Sequence, residues 1–295
     1  MGNFLDIGIA IGLAIISAIT FGIFSVMARK AMNLGSAISA STVSVMVGLP
    51  IMLALSLYYS SWGNLTLEGT FWFALTGFLA PGLARPLIYL SIRYVGVGRA
   101  MPLITVTPFI SMLLAVAWLT EEPSPVIYGA TTLVVVGCFL IALKPKGDAD
   151  WLRIFLLLPI VHSLVMAFAT TTRRYSLLVL PDFLIGIIIA SIASLPAVLL
   201  FWPFLPVEER WRIEEGGLKM MIQTGLLNSF SFLMFFASFQ YGPVSIVVPI
   251  AYSAPFFALI CTRIWLRDEE ILTWQKCVGA ATLFVGVVLI VINAS

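Results

Sequence analysis

Residues 91–122, SIRYVGVGRAMPLITVTPFISMLLAVAWLTEE, return in outline at residues 238–269, SFQYGPVSIVVPIAYSAPFFALICTRIWLRDE. In one register Ser91 and Tyr94 fall on Ser238 and Tyr241, Pro102 and Pro108 on Pro249 and Pro255, and Trp118-Leu119 on Trp265-Leu266. Glu121-Glu122 then falls on Asp268-Glu269. Apolar helices agree by chance, but chance does not hold two prolines, a tryptophan and an acidic pair in step. After a short insertion the likeness resumes, with Gly129-Ala130 and Thr132-Leu133 answering Gly279-Ala280 and Thr282-Leu283. Upstream, Arg29-Lys30 answers Arg173-Arg174. The chain reads as a duplication, divided at the polar stretch Lys144 to Asp150 into units 1–147 and 148–295.

What surrounds the repeat is lipid-soluble. Of 295 residues, 61% are hydrophobic and only 10% charged, against about 25% charged in a soluble domain, and the mean hydropathy is +1.07. A helix needs about 20 apolar residues to cross the hydrocarbon core. Hydropathy places such spans at 7–28, 36–59, 70–92, 99–119 and 125–143, then at 152–172, 183–203, 217–239, 244–265 and 272–292. The expected fold is an all-α membrane protein of ten transmembrane helices in two five-helix repeats. Five is odd, so the second repeat enters the membrane inverted, a recurring plan of secondary transporters. A membrane β-barrel would show alternating segments of about ten residues instead. No cleavable signal peptide is expected, because the apolar start is long and no basic residue precedes it.

The three cysteines, Cys138, Cys261 and Cys277, have neither disulfide nor metal-ligand spacing. A net charge of +2 with basic residues scattered through short loops leaves no nucleic-acid surface. No phosphate-binding GxxxxGK loop is present, so the energy for transport is expected from a coupling proton or from an exchanged solute. No cofactor or metal is expected. An intramembrane enzyme would need paired carboxylates, a nucleophile with a base, or a metal site, and the chain offers one histidine and no acid within a span. A lipid flippase or scramblase is the remaining alternative.

The acidic pair after the fourth span, the paired prolines and the glycine-bearing fifth span, carried by Tyr94 to Gly137 and Tyr241 to Gly286, resemble the EamA pattern of the drug/metabolite transporter superfamily. The resemblance implies a cell-membrane carrier whose ten helices surround a central cavity lined by spans 1, 3, 4, 6, 8 and 9, with spans 5 and 10 peripheral. It also implies both termini inside the cell. The distribution of Lys and Arg predicts the reverse, because the side with both termini carries only Arg173 and Arg174.

Arg85 is the most informative single residue, lying deep in the third span between Pro81-Gly82 and Pro86. An arginine at that depth costs on the order of 2.5–3.5 kcal/mol on insertion scales. It either meets an anionic group of the solute, caps carbonyls released by the prolines, or snorkels. With no buried carboxylate in view, an anionic or carboxylate-bearing metabolite is preferred. His162, the single histidine, either takes up a coupling proton or bonds across helices. Thr105, Thr107, Tyr252, Ser253 and Asn228 are the polar candidates for solute contact in spans 4, 9 and 8. Pro102, Pro108, Pro249 and Pro255 are candidate hinges. Ser17, Thr20, Ser25 and Ser231 add polarity to spans 1 and 8, and Gly8 with Gly12 forms one GxxxG. The pairs Arg29-Lys30 and Arg173-Arg174 read as helix-end anchors, and Glu121-Glu122 as solvated loop residues.

Overall fold

Without water to receive backbone N–H and C=O groups, an apolar chain closes its hydrogen bonds within helices. The computed structural model describes residues 4–32, 34–95, 97–142, 153–201, 211–265 and 273–294. Among them the regular structure is helical apart from one isolated bridge, Gly35 with Ile213. The first repeat supplies α1 (Phe4–Met32), α2 (Ala37–Tyr59), α3 (Leu67–Gly77), a wide-turned segment Phe78–Leu83, α4 (Ala84–Val95), α5 (Val97–Ile104), α6 (Thr107–Leu119) and α7 (Pro125–Ala142). The second supplies α8 (Leu157–Val179), α9 (Phe183–Phe201), α10 (Gly217–Tyr241), α11 (Val244–Ala251), α12 (Ala254–Trp265) and α13 (Trp274–Asn293). Seven stretches among the described residues are long and apolar enough to cross a membrane, with shorter apolar helices at Thr107–Leu119 and Phe183–Ala197. The chain is an integral, multi-pass membrane protein.

Four expected spans are differently built. The third is interrupted, because Ala80 takes an extended conformation (φ −145°, ψ 119°) before a cis Ala80–Pro81 peptide. Its counterpart α10 runs unbroken, and the register of the repeat puts Asn228 and Leu233 where the first unit has Pro81 and Pro86. Spans four and nine are each split in two, α5 with α6 and α11 with α12. The sixth, expected to end at 172, continues to Val179 and stops before Pro181. Arginines lower hydropathy without opposing the helix, so the Arg173-Arg174 pair mimics an end that proline supplies two turns later.

Packing follows the duplication. α1 lies against α10, and its equivalent α8 against α3 and α4; α2 lies against α10 and α9 against α3. Likewise α1 meets α11 and α12, while α8 meets α5 and α6. The last helices of the two repeats, α7 and α13, pair with each other. There a Cβ on Gly137 would stand 2.6 Å from the Leu283 Cβ, and one on Gly279 2.8 Å from the Gly137 carbonyl, so only glycine admits this approach. Gly8 and Gly12, by contrast, meet nothing within 4 Å; their GxxxG packs no helix here.

Candidate functional site

The split helices pack against each other, α11 on α6, and bring the two breaks together. A proline cannot donate to the carbonyl four residues back, and for Pro108 that carbonyl belongs to Ile104. The Thr107 hydroxyl donates to it at 2.7 Å, and the Ser163 hydroxyl of α8 donates to the neighbouring Leu103 carbonyl at 3.1 Å. One turn on, the Phe109 N–H donates to Val106 at 3.1 Å, and the Phe256 N–H donates to Ser253 at 2.9 Å. In the second repeat this shortened bond takes the Tyr252 carbonyl out of the helical ladder. The Tyr252 carbonyl instead receives the Cys138 thiol of α7 at 3.3 Å. The Tyr252 hydroxyl comes up to that of Thr107, so the two breaks meet side chain to side chain. Thr107 and Ser253 are buried, Thr105 and Tyr252 half-buried.

Of the four prolines, Pro108 is buried at the start of α6, Pro249 is buried within α11, and Pro255 is half-buried in the first turn of α12. Pro102 lies in α5, and its side chain falls outside the described residues.

Arg85 is half-buried in the first turn of α4. Beside it, the His162 Nδ1 of α8 lies 2.8 Å from the Ala84 carbonyl. A ring nitrogen facing a carbonyl carries the proton, so His162 ties α8 to the start of α4. Asn228 is not brought to the breaks: its amide donates to Ser44 of α2 at 2.9 Å. Ser17 and Ser231 exchange bonds between α1 and α10, each hydroxyl 3.0 Å from the other's carbonyl. Thr20 and Ser25 bond back to their own helix.

Arg173 departs furthest from its expected role as a helix-end anchor. It lies about 9 Å inside the end of α8 at 1.5 Å per residue, and it is 1% exposed. Its guanidinium carbon lies 4.4 Å from the Phe236 ring centroid, 5.0 Å from Phe235, 5.4 Å from Phe232 and 5.6 Å from Phe239. Those four rings recur at i, i+3, i+4 and i+7 on α10, one continuous face of a helix. Tyr252 stands within electrostatic reach of the same guanidinium. Nε and Nη1 have no hydrogen-bond partner among the described residues. Two sequence signals marked this residue: the apolar run Ser176 to Leu180 beyond it, and the phenylalanine stripe.

Glu121 is also not a free loop residue. Its two carboxylate oxygens accept from the Val244 and Ser245 N–H groups at 2.7 and 2.9 Å, capping α11, whose own N-cap is Pro243. Arg174, the neighbour of Arg173, donates to the Phe239 and Gln240 carbonyls at the end of α10. Asp182 accepts from Ser60 at 2.9 Å and from Leu184 and Ile185 N–H at 3.1 and 3.0 Å. Together these contacts join α6, α8, α9, α10, α11 and the end of α2 at one end of the molecule.

A family model described as the EamA-like transporter family matches residues 8–143 and 153–292. A comparison with curated proteins returned no match. A solved crystal structure is similar in fold, with a TM-score of 0.80 over 97% of each chain at 10% sequence identity.

Proposed function

Since the chain belongs to the EamA-like transporter family, a family of membrane transporters, we propose that it is a secondary carrier moving a small organic metabolite by alternating access. The observation that carries this reading is the pair of helix breaks at 105–106 and 252–253, at equivalent positions of two repeats. Interrupted helices at a repeat interface offer released carbonyls to a solute and give each half a place to bend. Ten crossings, with the second five inverted, bring the two breaks to one level of the membrane. Thr105, Thr107, Tyr252 and Ser253 form the solute contact there, and Pro102, Pro108, Pro249 and Pro255 act as hinges.

An anionic or carboxylate-bearing solute is preferred. Among the described residues every carboxylate lies in a loop or a first helical turn, while Arg85 is half-buried beside the interrupted third span. Energy comes from a proton or from an exchanged solute, and the cell membrane is the place of action. Solute counterflow in proteoliposomes tests the carrier reading: saturable exchange of a labelled solute against its unlabelled form is expected. Movement of labelled lipid without any solute would replace it with a scramblase.

A further inference from the structure

We infer that Arg173 is the anion-recognising group of the carrier, and that the solute is an organic monocarboxylate with an apolar body. This assignment rests on the carrier reading above and moves the recognition charge away from Arg85. His162 marks the level of Arg85 on α8, and Arg173 lies about 16 Å farther along that helix at 1.5 Å per residue. The two arginines therefore stand on opposite sides of the Thr107–Tyr252 contact.

A snorkelling or anchoring arginine puts its head in water. The head of Arg173 is enclosed, and no described carboxylate pairs with it. The described acids at this end, Glu121 and Asp182, are engaged by the N-termini of α11 and α9. What surrounds the cation is aromatic. A cation over an aromatic face is stabilised most when desolvated, and a planar guanidinium has only two faces to offer. Rings cannot satisfy the N–H donors in its plane, and a buried donor left unsatisfied is costly, more so when charged. Nε and Nη1 are such donors. Carboxylate and phosphate oxygens are the acceptors that guanidinium edges bind in bidentate geometry.

The count of charges selects the class. One buried cation neutralises one anion, whereas a phosphate dianion would leave a net negative charge among phenylalanine rings. The Tyr252 hydroxyl, within reach of the guanidinium, supplies a further donor, and the four rings require the rest of the solute to be apolar.

The test is equilibrium binding to the purified full chain in detergent, read by thermal shift and tryptophan fluorescence. The probes are phenylacetate, octanoate and lactate, with phenylacetamide and phenethylammonium as neutral and cationic analogues of the first. Phenylacetate or octanoate is expected to bind at least tenfold more tightly than phenylacetamide. Arg173→Gln is expected to abolish that preference and Arg173→Lys to keep part of it, while Arg85→Gln retains it. Equal affinity for acid and amide, no binding by any of the three acids, or an unchanged preference in a folded Arg173→Gln protein overturns the assignment. Should Arg173→Gln not fold, the acid–amide comparison on the unaltered protein decides alone. Counterflow run in parallel separates the two readings. Exchange of a neutral or cationic solute that ignores Arg173 keeps the carrier and removes this assignment, while carboxylate binding without any counterflow removes the carrier.

Discussion

At the end of α6, Thr120 takes a left-handed conformation (φ 52°) that turns the chain toward α11, and Glu121 follows it to the N-terminus of that helix. Because Pro243 offers no capping side chain, a residue from the other repeat supplies the acceptor, and its negative charge suits the positive end of the helix. Glu121→Ala is expected to lower stability by about 0.5–2 kcal/mol, the range for losing a helix cap, measured as a fall in the unfolding midpoint in detergent. Glu121→Gln, which keeps an acceptor, is expected to fall less. His162 poses the other residue-scale question. Its Nδ1 holds the Ala84 carbonyl, so the expectation is an interhelix tie and an unaltered pH profile of exchange in His162→Gln. A profile that flattens in that variant would make His162 the proton carrier instead.

Between elements, small residues and hydroxyls set the distances. The α7–α13 pair depends on Gly137 and Gly279, whose missing side chains let two backbones approach; such contacts drive helix association where lipid removes the hydrophobic incentive. Gly137→Leu would overfill that seam, and a loss of about 1–3 kcal/mol is the usual result of overpacking. The measurement is thermal stability of the purified variant beside Gly129→Leu, whose position meets nothing within 4 Å and is expected to change little. α8 is held differently, by Ser111 with Thr170 at 3.0 Å and Thr76 with Thr172 at 3.1 Å. At the opposite end, the turn between α1 and α2 docks on the segment before α10: Ser36 N–H donates to the Arg212 carbonyl and Arg212 N–H to the Ser39 hydroxyl. These ties are polar and local, so hydropathy reads past them.

For the molecule as a whole, side assignment is the open prediction. Basic residues gather on the side away from the termini, which by the charge rule makes that side cytoplasmic. A carboxyl-terminal alkaline phosphatase fusion is expected to be active in a bacterial host, and an active green fluorescent protein fusion at the same place would reverse the orientation. The sequence by itself determined the helical, membrane-embedded, duplicated chain and the helix-breaking residues at matching places. Long apolar runs, prolines and a conserved register within one chain are local or periodic signals, and they survive without knowledge of neighbours. Only the tertiary structure decided what the charges do. Arg173 ceased to be an anchor because α8 continues past it and α10 lays four rings around it, and Glu121 ceased to be solvated because α11 begins beside it. The worth of a charge in a membrane depends on which groups share its low-dielectric surroundings, and those groups come from parts of the chain far apart in sequence.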